Sequence, residues 1–147
     1  MNEQVQSIGV IGSGTMGNGI AQVAAMAGCG VILVDIDEVR LKTAKENIQS
    51  NLEKGVSRGK VAAETVAPTM ARISLSTTVQ ALSDVDLVVE AVPESLALKQ
   101  RIFRQLNEVT KPSAILASNT SSLPITEIAS VVTDPTRVIG MHFFNPV

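Results

Sequence analysis

The stretch Ser7-Ile8-Gly9-Val10-Ile11-Gly12-Ser13-Gly14-Thr15-Met16-Gly17-Asn18-Gly19 decides the fold. It opens as a short apolar run rich in β-branched residues and breaks on Gly12, Gly14 and Gly17. It then continues as Ile20-Ala21-Gln22-Val23-Ala24-Ala25-Met26-Ala27. This order predicts a strand over about Ser7–Ile11, a glycine-rich turn, and a helix over about Thr15–Ala27 that Gly28 and Gly30 stop. In such a turn the first glycine allows the tight bend. The second lets a pyrophosphate approach the backbone, and the third lets helix and strand pack closely. The helix N-terminus adds unpaired N–H groups and a positive dipole end. A second apolar run, Val31-Ile32-Leu33-Val34, ends in Asp35, close to the spacing of about 20 residues expected for a ribose-binding acid. Gly12, Ser13, Gly14, Thr15, Met16, Gly17 and Asp35 are therefore candidate dinucleotide contacts. The plainer alternative is a turn that needs glycines, with Asp35 capping the next helix. A carboxylate at Asp35 would repel a 2′-phosphate and no Arg follows it directly, so NAD is favoured over NADP. Arg40 reads as a solvated side chain.

Working outward, the second strand is predicted over about Val31–Asp35. Asp37 is placed to cap a helix over about Glu38–Leu52, with Val39, Leu41, Ala44 and Ile48 near helical spacing and Gly55 and Gly59 interrupting it. Val61–Met70 reads as a further short helix despite Pro68. Ile73–Ser76, Leu87–Glu90, Ala114–Ala117 and Val138–Met141 read as strands. Glu94–Val109 and Ile125–Val131 read as helices, the second started by Pro124. Apolar runs without alternation indicate strands buried on both faces, and helices between them indicate right-handed crossovers and a parallel sheet. The expected fold is α/β: a Rossmann-type, doubly wound, mostly parallel sheet. The insert over about Glu38–Arg72 is expected to project as a helical pair.

The chain has 147 residues, one domain by length, and 45% of them are hydrophobic. Its net charge of −2 implies no general attraction to nucleic acid or to an anionic membrane surface. No run approaches the ~18–20 apolar residues of a membrane span. No basic segment leads into an apolar stretch as in a signal peptide. Cys29 is the sole cysteine, so neither a disulfide framework nor a cysteine metal cluster is expected, in keeping with a reducing, cytoplasmic setting. With no Trp or Tyr, the core must be aliphatic, and Phe103, Phe143 and Phe144 are its only candidate rings.

Ligands of doubly wound sheets bind beyond the carboxyl ends of the strands. Five predicted strands deliver glycine-rich or polar groups there: the glycine turn, Asp35, Glu90, the run Ser118-Asn119-Thr120-Ser121-Ser122, and His142 with Asn145. Glu90 would receive ribose hydroxyls near the nicotinamide, or else cap the helix after Pro93. The Ser118–Ser122 run would bind a substrate oxygen, or form an ordinary polar turn. His142, the only histidine, is of the residue type suited to proton exchange with a hydroxyl that becomes a carbonyl. Such a base usually needs an orienting carboxylate, and none lies close in sequence.

The chain resembles the N-terminal domain of 3-hydroxyacyl-CoA dehydrogenases, nearest the 3-hydroxybutyryl-CoA group. The matching segments are Gly12-Ser13-Gly14-Thr15-Met16-Gly17, Val88-Val89-Glu90-Ala91-Val92-Pro93-Glu94, Ala117-Ser118-Asn119-Thr120-Ser121-Ser122-Leu123 and Gly140-Met141-His142-Phe143-Phe144-Asn145-Pro146-Val147. The resemblance implies that His142 takes the 3-hydroxyl proton while hydride passes to NAD, and that Ser121 hydrogen-bonds the same oxygen. It implies cofactor-side contacts at Glu90, Lys99 and Asn119, and substrate contacts at Asn145 and, toward the coenzyme A phosphates, at Lys54, Arg58 and Lys60. Basic residues in that last stretch are also an ordinary solvated face. Family members continue into an all-helical, dimerising second domain and supply the glutamate that pairs with the histidine. The sequence given stops at Val147, before either. The expected partners are an acyl-CoA and, with that domain present, a second copy. A non-catalytic NAD-binding module and a related β-hydroxyacid dehydrogenase acting on a free acid are the alternatives.

Overall fold

Six strands make one sheet: β1 (Ser7–Ile11), β2 (Gly30–Val34), β3 (Ile73–Ser76), β4 (Leu87–Glu90), β5 (Ile115–Ser118) and β6 (Val138–Gly140). The computed structural model describes residues 4–147. The strand order is β3-β2-β1-β4-β5-β6 and every pairing is parallel. Helices α1 (Thr15–Met26), α2 (Glu38–Ser57), α3 (Val66–Ala71), α4 (Leu96–Val109) and α5 (Ile125–Ala129) fill the crossovers. The chain winds from β1 outward to β3, then returns past β1 to β4 and winds the other way. The reversal places a crevice between the carboxyl ends of β1 and β4, where ligands of such sheets bind.

Adjacent residues of the central strands serve opposite layers. Val10, Leu33, Val89 and Ala117 pack with Ile20, Ala24, Leu41 and Ile48 of α1 and α2. Ile11, Val34, Val88 and Leu116 pack with Ile102, Phe103 and Leu106 of α4 and Ile128 of α5. Burial on both faces is why these strands read as unbroken apolar runs. Of the three phenylalanines, Phe103 is fully buried and Phe143 packs at the margin. Phe144 is 77% exposed, so it is not the core ring the composition suggested.

The helix ends show which glycines stop a helix. Gly28 and Gly59 have positive φ, and each closes a paired set of bonds onto the last turn: Gly28 N–H to Ala25 and Cys29 N–H to Ala24, Gly59 N–H to Val56 and Lys60 N–H to Gly55. Gly55 does not interrupt α2 as expected. It lies within the helix, and a Cβ there would meet Val61 at 2.6 Å, so its smallness lets the following chain fold back. With 20 residues α2 is about 30 Å long. Leu41, Ala44, Ile48 and Leu52 bury one stripe of it, and no residue past Leu52 is buried. The insert is helical, and its far end stands clear of the core. Its second helix is six residues long and packs on α1, α2 and β3, with Thr69 buried and Pro68 in the first turn, where a missing N–H costs little. At α4 the cap is Ser95, whose Oγ accepts Leu98 N–H, so the helix starts two residues later than expected and Glu90 caps nothing.

Candidate active site

The glycine turn between β1 and α1 has the geometry its spacing implied. Gly12 has φ 102°, and a Cβ on it would lie 2.6 Å from the Ala91 carbonyl oxygen. A Cβ on Gly17 would sit 1.7 Å from the Gly12 oxygen, so close packing of helix on strand excludes any side chain there. Gly14 differs: no atom lies within 4 Å of its imagined Cβ. It is the N-cap of α1, with no side chain capping the helix and no acidic residue in the first turn. Open space over bare helix N–H groups suits a diphosphate. NAD fits this cradle through the Gly12–Gly17 backbone.

Asp35, at the end of β2, is bonded to this turn. Its Oδ2 accepts Ser13 N–H at 3.0 Å and Ser13 Oγ–H at 2.7 Å, and its Oδ1 accepts Asp37 N–H at 3.1 Å. Burial pushes this carboxyl up, but the hydrogen bonds from Ser13 and Asp37 outweigh burial and hold it below the usual carboxylate range. Oδ1, with one bond accepted, keeps a lone pair for a further donor. Capping of α2 falls instead to Asp37, which accepts from Val39 and Arg40.

Beyond β4, β5 and β6 lies a cleft of about 310 Å³ lined by Met16, Glu94, Asn119, Ser121, His142 and Asn145, among others. Residues far apart in sequence, read separately as polar strand ends, thus share one space. His142 is exposed, its ring tilted on that of Phe144 with centroids 4.9 Å apart. Among the described residues no hydrogen bond holds its imidazole, nor the side chains of Ser121 and Asn145.

Glu90 and Lys99 lie beneath this cleft and do not line it. They are 0% and 1% exposed and form an ion pair at 2.6 Å. Glu90 Oε2 also accepts Val92 N–H at 2.8 Å, and Oε1 accepts the Ser118 hydroxyl at 2.6 Å. Lys99 donates further to the Val92 carbonyl and reaches Glu94 Oε1 at 3.1 Å. The other oxygen of Glu94 accepts from Thr120 and Ser122 at 2.6 and 2.8 Å. Burial raises the Glu94 carboxyl, and the bonds from Thr120, Ser122 and Lys99 lower it by more. Sequence reading missed Glu94 as a cleft residue; its only signal was its place in the Glu90–Glu94 segment.

A second cleft, of about 420 Å³, runs between α1, α2 and the 145–147 segment, with Asn18, Gln22, Asn51 and Lys54 on its walls. Lys54 therefore lines a cleft, whereas Arg58 and Lys60 are exposed beyond its lining. Asn145 lines both clefts. Among the described residues no cluster of His, Cys, Asp and Glu could hold a metal, and no helix is long and apolar enough to cross a membrane.

A wholly parallel sheet in this order, with a bare glycine cradle and a carboxylate at the end of β2 beside it, defines a Rossmann-type dinucleotide-binding domain. Residues 7–147 match the family described as 3-hydroxyacyl-CoA dehydrogenase, NAD binding domain, and the chain belongs to that family. It is 49% identical over 142 residues to the 3-hydroxyadipyl-CoA dehydrogenase of Escherichia coli, covering 97% of this chain and 30% of that protein. It is 43% identical over 148 residues to the 3-hydroxybutyryl-CoA dehydrogenase of Mycobacterium tuberculosis, covering 100% and 52%. The crystal structure of a 3-hydroxybutyryl-CoA dehydrogenase from Escherichia coli superposes with a TM-score of 0.95 at 48% identity, over 97% of this chain and 30% of that one. The chain thus spans about half or less of the length of these relatives.

Proposed function

We propose that this chain provides the cofactor and proton-transfer residues of a dehydrogenase that interconverts 3-hydroxyacyl-CoA and 3-oxoacyl-CoA with NAD. The observation that supports the reading most is the convergence of Ser121 from the β5 end and His142 from the β6 end on one cleft, beside Met16 of the glycine turn. In the oxidative direction Ser121 hydrogen-bonds the substrate 3-hydroxyl and a ring nitrogen of His142 accepts its proton. As that O–H bond breaks, the C3–H bond releases hydride and the carbonyl forms. NAD, when bound, supplies the hydride acceptor. The Gly12–Gly17 backbone holds its diphosphate, and Asp35 holds its adenosine ribose and disfavours a 2′-phosphate. The relatives' names support a coenzyme A thioester as substrate, with Lys54, Arg58 and Lys60 near its phosphates. A homodimer working in the cytoplasm belongs to the same proposal.

The test is oxidation of NADH with acetoacetyl-CoA compared with free acetoacetate, in the chain and in its His142→Ala variant. The thioester should be the preferred substrate and the variant should lose most turnover. Equal use of the free acid, or full turnover without His142, would overturn the reading.

A further inference from the structure

His142 is exposed, its ring lies against that of Phe144, and among the described residues no hydrogen bond holds its imidazole, so the main chain must place it. It stands two residues beyond β6, where the parallel ladder gives out. The main-chain N–H groups on either side of it are both anchored. Met141 N–H donates to the Ser118 carbonyl at 2.9 Å, a last rung continuing from the Ser118–Gly140 pair. The next rung comes from a side chain: Phe143 N–H donates to Asn119 Oδ1 at 2.7 Å. Asn119 in turn hangs on β4, since its own N–H donates to the Glu90 carbonyl at 2.9 Å. Its neighbour Ser118 donates to the buried Glu90 carboxylate at 2.6 Å, which Lys99 pins from below.

We propose that Asn119 is a positioning residue for His142, in which its amide oxygen replaces a strand carbonyl and fixes the main chain that carries the base. This rests on the reading of His142 as the base, and it moves Asn119 from the cofactor contact expected of it to a support for the histidine. The hydrogen-bonded path runs from the Lys99–Glu90 pair through residues 118 and 119 to the amides of Met141 and Phe143. His142 lies between two held amides, so its Cα is placed while its ring stays free to exchange a proton.

The oxygen and the nitrogen of the Asn119 amide predict different outcomes, and two variants separate them. Asn119→Asp keeps the acceptor and removes the NH₂ donor; Asn119→Ala removes both. The measurements are hydrogen exchange at the Phe143 amide, the proton resonance of the chain's only imidazole, and NADH affinity, all on this chain without turnover. In Asn119→Ala the Phe143 amide should exchange on the order of tenfold faster, the scale of one lost hydrogen bond. The imidazole resonance should shift toward that of a mobile histidine, and any loss of NADH affinity should accompany that shift. Asn119→Asp should restore protection at Phe143. Amides of β1 and β4 report whether either variant has kept its fold. Unchanged Phe143 exchange in Asn119→Ala, or failure of Asn119→Asp to restore it in a folded chain, overturns the proposal. So does a tenfold loss of NADH affinity in both variants with the imidazole signal unmoved. Failure of the dehydrogenase reading would appear as absent thioester-dependent NADH oxidation and would leave these amide and imidazole signals as they are.

Discussion

The two edges of the sheet use polar residues in opposite ways. At the amino edge, polar groups bind each other. The Asp86 carboxylate accepts the Gln6 and Ser7 N–H groups at 2.8 and 3.1 Å and pairs with Lys111 at 2.8 Å. Asn107 exchanges bonds with Thr133, and Arg137 donates to Thr110. At the carboxyl edge there are two tiers. The lower one, Glu90, Lys99 and Ser118, is buried and joined together. The upper one, Gly14, Ser121, His142 and Asn145, has open space or unengaged side chains. The amino edge stabilises the fold. The carboxyl edge places a satisfied layer under an unsatisfied one, and the lower tier is what lets the upper one stay open without losing its shape.

The sharpest way to break this contrast is at the two lysines. Lys99→Met leaves the Glu90 carboxylate buried without its cation and should cost about 3–5 kcal/mol of unfolding free energy. Adding Glu90→Gln should recover more than half of that, because the isolated buried charge is gone. Lys111→Met breaks a pair whose side chains are 32% and 30% exposed and should cost far less, about 1 kcal/mol or below. Denaturant unfolding of the four proteins decides it, and equal losses at both lysines would erase the distinction.

Within the glycine turn the same contrast recurs in miniature. Gly17→Ala forces a methyl group against the Gly12 oxygen and should cost about 3 kcal/mol or more of stability. Gly14→Ala meets nothing, so thermal unfolding should move little while NADH affinity falls sharply. Titration by nucleotide fluorescence is clean in a chain without Trp. A smaller effect is expected at Asp35→Ala, where NADH affinity should fall about ten- to a hundredfold, the range for hydrogen bonds to a charged group, and the preference over NADPH should narrow. Unchanged NADH affinity would remove Asp35 from the site.

The smallest expected effect is the acid response of the amino edge. Bonds from Lys111, Gln6 and Ser7 hold the Asp86 carboxyl far below the usual carboxylate range. A carboxyl depressed in the folded state contributes stability that is complete above its unfolded value of about 3.9 and is lost as pH falls toward the folded value. Asp86→Asn should therefore be less stable near neutrality yet show a shallower fall in stability from about pH 4 downward. Parallel slopes in the two proteins would show that Asp86 does not carry the acid response.

Sequence alone yielded the strand runs, because burial on both faces leaves an unbroken apolar signal. It yielded the Asp37 cap and the Gly28 stop, because both are local. It could not tell Gly55 from Gly59, since only φ and the partners of the next two amides mark which glycine ends a helix. It placed Glu90 and Lys99 near the cofactor but missed that they meet each other, a contact made by a loop turning back on itself. Phe144 was assigned to the core because composition counts rings without saying which way a chain end faces. Glu94 went unread as a site residue because its role depends on Thr120 and Ser122, both on another strand's loop.

The bonds between Ser13 and Asp35 have a consequence for the heat of binding. They join the glycine turn to Asp35 within the folded chain itself, so the fold alone fixes the carboxylate rotamer. The entropy of ordering it belongs to folding and is absent from association. A dinucleotide held as proposed would meet turn and acid as one stiff template, and removing the Ser13 hydroxyl would transfer that ordering from the folding step to the binding step.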